Sequence, residues 1–159
     1  MADKAYGNVS ASVFLDDMKS YMSGALNYEP KDSNDKWLFA EVAVNNTSSD
    51  LVTDRDYLGS ADTTVVADDD VAWIAIKNLS TTATDGIAVR LDAGSAAHNT
   101  AGNIYIGAGE MVILKTYATP LASIHAISVT MNSTYGYPSA THSGTVNCHV
   151  AAIVDDGGV

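Results

Sequence analysis

The sequence predicts an all-β chain, folded as an antiparallel β-sandwich of about eight strands, jelly-roll-like, with an N-terminal arm or short helix. Three observations predict it. Residues 71–78 (VAWIAIKN) carry six apolar residues in eight, fenced by Asp68-Asp69-Asp70 in front and by a Ser/Thr/Asp/Gly run behind. A short apolar run between turn residues is a central strand buried on both faces, and Val71, Ile74 and Ile76 favour a pleated surface. In residues 145–154, Val146, Cys148, Val150, Ala152 and Val154 alternate with Thr145, Asn147 and His149, a strand with one buried face. Finally, short runs of this kind recur along 159 residues with turn clusters between them, the spacing of two packed sheets rather than a helical bundle. An immunoglobulin-like sandwich is the alternative. Its Cys…Trp…Cys spacing is absent, since Cys148 is the single cysteine.

In chain order, residues 1–36 form an N-terminal arm or connector and residues 37–159 the sandwich domain. Two readings of the arm stay open. Phe14, Met18 and Met22 fall four apart, which suits an amphipathic helix over residues 12–25 with Asp16 and Asp17 in its first turns. Val9, Ala11 and Val13 alternate with Ser10 and Ser12, which suits a strand over residues 9–14. Residues 27–36 are a polar connector with one proline. The arm either docks on a neighbouring subunit or covers a sheet edge of its own domain.

Residues 37–45 are the next strand, with Leu38, Ala40, Val42 and Val44 on one side and Trp37, Phe39, Glu41 and Ala43 on the other. Residues 51–60 are a charged loop anchored by Tyr57-Leu58-Gly59, and residues 63–67 a short strand. Residues 87–91 form a strand, followed by a small-residue loop over 92–102. Residues 103–106 and 110–117 flank Gly107-Ala108-Gly109, expected as a hairpin turn. Residues 124–131 are a strand in which Ile127, Val129 and Met131 alternate with Ser128 and Thr130. Residues 132–144 form a long loop exposing Tyr135 and Tyr137, and residues 155–159 are a polar tail.

Composition limits function. The chain has 8 Lys+Arg against 19 Asp+Glu, a formal net charge of -11. That opposes nucleic-acid binding, which needs clustered cations to displace phosphate counterions, and opposes anionic membrane surfaces. No apolar run approaches the length of a membrane span. One cysteine excludes an intramolecular disulfide, and the start MADKAYGNVS has no apolar signal region, so folding in a cytosol is expected.

No catalytic constellation emerges. His98 and His142 lie in loops. His125 and His149 lie on strands that could be neighbours, and a cupin-like metal site would need such a pair plus a carboxylate, but no H-x-H motif is present. Asp68-Asp69-Asp70 and Asp32-x-Asn34 lack the spacing of a calcium loop and suit an acidic turn that blunts a sheet edge. No G-x-S-x-G and no phosphate-binding glycine loop occurs. Cys148, on an apolar face, is expected as inert core. The expectation is therefore no catalysis, no cofactor and no metal.

The segments AWIAIK (72–77), VRLD (89–92), NIYIGAGEMVIL (103–114), IHAISV (124–129) and VNCHVAAIVD (146–155) resemble small structural proteins of tailed bacteriophages, marine and cyanobacterial phages especially. The pattern is similar to the late part of capsid decoration, or cement, proteins and covers about half the chain. The resemblance implies a β-sandwich on the outer face of an icosahedral shell, with the major capsid protein and its own copies as partners. It further implies a symmetric homo-oligomer, a trimer favoured, made in host cytoplasm and residing on the virion. Contact residues expected on this reading are Phe14, Met18, Tyr21 and Met22 in the arm and Tyr135 and Tyr137 in the long loop, since aromatics are enriched at interfaces. A carbohydrate-binding or host-adhesion module is the alternative function.

Overall fold

The computed structural model describes residues 5–15, 18–28, 36–52, 57–58, 70–91, 95–120, 124–132, 134 and 137–155. All regular structure among them is β. The strands are β1 (Ala5–Leu15), β2 (Met18–Tyr28), β3 (Lys36–Val44), β4 (Ser49–Asp50), β5 (Tyr57–Leu58), β6 (Asp70–Asn78), β7 (Asp85–Arg90), β8 (Ile104–Ile106), β9 (Met111–Pro120), β10 (His125–Met131), β11 (Pro138–Thr141) and β12 (Val146–Asp155). β1 and β2 pair as a hairpin, which settles the arm as extended and overturns the helical reading. The physical reason is the two-residue alternation Val9-Ser10-Ala11-Ser12, continued by a register that runs from Ala5↔Tyr28 to Leu15↔Met18. The four-residue spacing of Phe14, Met18 and Met22 is a coincidence of two strands joined by Asp16 and Asp17.

The other strands form two antiparallel sheets, the predicted sandwich. One has the order β5-β3-β12-β6-β9 (the β6 sheet). The other has the order β11-β10-β7-β8, with β4 also on β10 (the β10 sheet). β4 pairs with the start of β10 and β11 with its end, opposite the edge taken by β7. Most connections cross from one sheet to the other. Between the sheets lies one core: Leu38, Val42 and Val44 of β3, Val71, Ile74 and Ile76 of β6, and Val146, Cys148, Val150, Ala152 and Val154 of β12. Ile87 and Val89, Ile106, Ile124 and Ala126 face them from the β10 sheet. Burial of this area is the main force joining the sheets. β6 is central in its sheet and its inward face is core, but its outward face is only partly buried, with Lys77 exposed; the sides of β3 fall as expected.

Three local departures have clear causes. Gly107-Ala108-Gly109 does not close a hairpin: β8 and β9 belong to different sheets. It makes a tight corner in which Glu110 N–H donates to Gly107 O, Gly107 N–H donates to the Glu110 carboxylate at 2.7 Å, and Gly109 takes φ +74°. A glycine turn looks the same in sequence whether the next strand returns to its neighbour or crosses the sandwich. Tyr57-Leu58 is more than a loop anchor, since it pairs with β3. In β10, Ile127, Val129 and Met131 face away from the main core; Ile124, Ala126 and Ser128 face inward. The strand predicted over residues 63–67 lies outside the described residues.

Two buried polar side chains fasten the sandwich. Asn78 ends β6 and donates through Nδ2 to Asp85 O (3.1 Å) and Ile106 O (3.3 Å) of the opposite sheet, while accepting from Ser80 N–H. Ser128 Oγ lies within hydrogen-bond distance of His142 O (3.2 Å) and Gly144 O (2.9 Å), and its amide donates to Asn45 O. Ser128 thus fills the gap that the short β4 and β11 leave along the edge of β10. Satisfied buried polar groups of this kind fix one arrangement of the sheets.

Candidate interaction surface

The outward face of the β6 sheet carries an apolar band. Strand register sets its side chains in rows. Trp37, Ile153, Trp73 and Lys115 form one row; Phe39, Ala151, Ala75 and Ile113 the next; Glu41, His149, Lys77 and Met111 a third. The N-terminal hairpin packs over the Trp73 part of the first row and the Ile113 end of the second, while Lys115 stays exposed. Trp73 and Ile153 are buried there among Tyr28, Trp37, Ala75, Ile113 and Ala151. Gly7 permits the close approach: a Cβ at that position would stand 3.0 Å from two Ile113 side-chain carbons and 3.2 Å from Leu26 O.

Past the hairpin the same face is bare. Phe39 is 59% exposed and Met111 56% exposed. They flank a shallow groove of about 190 Å³ whose other residues are Ala75, Lys77, His149 and Ala151. The Phe39 and His149 rings pack at 5.4 Å between centroids, tilted by 46°. At the end of the third row Asn147 Nδ2 donates to Glu41 Oε1 at 2.9 Å, so the groove ends in a polar pair.

The hairpin also carries uncovered apolar surface. By register Gly7, Val9 and Ala11 share a side with Leu26, Gly24 and Met22. That side docks at Gly7 but is open further out. Met22 is 60% exposed, Val9 is exposed, and a Cβ on Gly24 would meet nothing within 4 Å. The opposite side holds Tyr6, Asn8, Ser10, Tyr21 and Ser23, with Tyr21 65% exposed. No family model, curated protein or solved structure matches the chain. The residues and their geometry therefore carry the functional reading.

Of the contact residues predicted from sequence, Tyr21 and Met22 are exposed on opposite sides of the hairpin, and Tyr137 is 53% exposed before β11. Phe14 and Met18 take part in the β1–β2 pairing, with their side chains outside the described set; Tyr135 also lies outside the described residues. Tyr137 is remote from the groove in the sheet order, beside β11 on the other sheet. Sequence reasoning missed Phe39, Met111 and Val9. The signal for Phe39 was present: Trp37 and Phe39 put two aromatics on the side of β3 opposite its core residues.

The histidines do not converge. His125 is on β10 and His149 on β12, in different sheets and on outward faces, so they are not neighbouring metal ligands. His98 Nδ1 lies 3.0 Å from Thr141 Oγ1, and His142 Nε2 lies 3.9 Å from Asp85 Oδ1. Among the described residues no three His, Cys, Asp or Glu side chains gather into a metal-binding group. Cys148 is buried in the core, and desolvation pushes its thiol up to about 12. A thiol kept neutral in this way is a poor nucleophile.

Proposed function

We propose that this chain is a virion structural protein: a decoration, or cement, protein that binds the outer surface of an icosahedral phage capsid by non-covalent contacts and stabilises it. The observation that carries the reading is the half-covered apolar face of the β6 sheet, continuous with a projecting hairpin. It is a surface suited to contact, with exposed Phe39 and Met111 beside Lys77 and His149. The segments that resemble phage structural proteins fall on β6, β7, β8, β9, β10 and β12, the ladders of both sheets. A jelly roll is the architecture this reading favours. Leaving aside the hairpin, β5 and β11, the eight strands run first, eighth, third and sixth in one sheet and second, seventh, fourth and fifth in the other, an order that supports two interlocked Greek keys.

The partners on this reading are the major capsid protein and further copies of the chain, a trimer favoured, on the capsid surface of the virion. The net charge of -11 supports a protein partner over nucleic acid or an anionic membrane. Stabilisation follows from mass action: a ligand that prefers the mature lattice opposes its loss. The test is to incubate the protein with empty expanded capsids and pellet them. Co-sedimentation at a fixed ratio of copies per capsid is expected, and protein left in the supernatant at every concentration overturns the reading.

One observation favours a second reading, a carbohydrate-binding or host-adhesion module. A dent on the hairpin is lined by Asn8, Ser10, Tyr21 and Ser23 together with Val9 and Gly24, so polar groups and an aromatic ring meet there. Binding on a glycan array, lost in Tyr21→Ala, is the outcome that would favour it.

A further inference from the structure

Two apolar surfaces of this chain end abruptly, and they are the two halves of one existing interface. The hairpin side that docks on the β6 sheet at Gly7 continues outward through Val9, Ala11, Gly24 and Met22, all exposed. The sheet face that receives the hairpin at Trp73 and Ile113 continues into the groove between Phe39 and Met111, both exposed. Both are faces of antiparallel strand ladders, continuous with the part already packed together. From Gly7 to Leu15 the hairpin has about 27 Å of reach at ~3.4 Å per residue. That is nearly three times the ~10 Å spacing of packed sheets, enough to cross to a neighbouring molecule.

Charge agrees. The two residues that join β1 to β2 are Asp16 and Asp17, while the groove offers Lys77 and His149. The sequence between the two strands is acidic, and Lys77 is the cation that lines the groove. Opposite charges across an interface set its register and suppress wrong partners.

We infer that the occupant of the groove is the hairpin of a second copy of this chain, so that copies join head to tail, each hairpin side continuing onto the next subunit's β6 sheet. Such a contact is heterologous: the surface given differs from the surface received. A heterologous contact closes into a ring when its rotation allows and otherwise grows as a filament. This deepens the self-association part of the proposed function and rests on it, but it does not depend on which shell the oligomer binds.

The test uses the full chain and two variants at exposed positions, Met22→Asp on the hairpin and Phe39→Asp in the groove. Analytical ultracentrifugation over a range of concentrations is the readout. The wild type sediments as a closed oligomer, and each variant alone falls to monomer, with association weakened at least tenfold. An equimolar mixture of the two variants restores a 1:1 dimer, because the Phe39→Asp copy keeps a working hairpin and the Met22→Asp copy a working groove. A monomeric wild type, a Phe39→Asp variant that still forms the full oligomer by pairing hairpins, or a mixture that stays monomeric each overturns the inference. Circular dichroism and the denaturation midpoint establish that each variant is folded; if either is not, Val9→Ser and Met111→Ser replace it. Assembly without capsid pelleting defeats the capsid reading alone, and capsid pelleting by a monomer defeats this inference alone.

Discussion

The two sheets of this sandwich both carry apolar residues on their outward faces, and they dispose of them differently. The β10 sheet closes its outward face from within. Ala88, Ile127, Val129 and Met131 are covered together with Ala96, brought over by the connection between β7 and β8. That connection is pinned in place: Ala96 N–H donates to Ser48 Oγ at 2.8 Å, Asn103 Nδ2 to Ala97 O at 2.6 Å, and Tyr105 OH to His98 O at 3.1 Å. The β6 sheet has no such loop among the described residues. Its cover is the N-terminal hairpin, which buries Trp73 and Ile153 and leaves Phe39 and Met111 exposed. A face closed by its own loop serves stability. A face closed halfway by a projecting arm is left with surface to offer another molecule.

The strongest way to break the comparison is to remove the anchor beneath the hairpin. Trp73→Ala is expected to cost about 3–5 kcal/mol in chemical denaturation, the range for deleting a large buried aromatic. Limited proteolysis should then cut the hairpin before the sandwich, since Trp73 is what the hairpin covers. On the closed face, Met131→Ala is expected to cost about 2–5 kcal/mol, and the hairpin should keep its wild-type protease resistance. Equal loosening of the hairpin by both substitutions would mean that the two outward faces are not independent.

The core between the sheets gives a pH-dependent test. The folded thiol of Cys148 is pushed from 9.0 up to about 12 by burial. Above pH 9 the unfolded chain releases that proton while the folded chain keeps it, so the unfolded state binds fewer protons and stability falls as pH rises. Cys148 therefore contributes full stability below pH 9 and loses it progressively towards about pH 12. The wild type minus Cys148→Ala difference in denaturation midpoint should be flat from pH 6 to 8 and shrink above pH 9. A constant difference up to pH 11 would mean the thiol is not desolvated between the sheets. The smallest effect is expected on the open half of the β6 sheet. Phe39→Ser should change monomer stability by no more than about 0.5 kcal/mol, because its side chain is largely in water already.

Much of the sandwich was legible in the sequence. β3, β6 and β12 follow the alternation of their side chains, and the inward set of β12 was named residue by residue. The arm was readable only as one of two elements, because a helix and two successive strands both put Phe14, Met18 and Met22 at regular intervals. Local pattern also could not tell that Gly107-Ala108-Gly109 turns into the other sheet, nor that Ile127, Val129 and Met131 face a loop rather than the main core. Both depend on which distant segment packs nearby. The groove was hidden for the same reason. Phe39, Met111 and His149 lie on three strands, and only the β3-β12-β6-β9 order brings them together.

The claim on which the account turns is that the uncovered half of the β6 sheet works by contact. The most direct measurement is the protection of Phe39 and Met111 from water in the intact wild-type protein, read by hydroxyl-radical footprinting at low and at high protein concentration. Strong labelling of both is expected in dilute protein, with at least a several-fold loss at high concentration and Tyr137 unchanged. Labelling of Phe39 and Met111 that stays as strong in concentrated protein, and in protein pelleted with capsids, would contradict the claim.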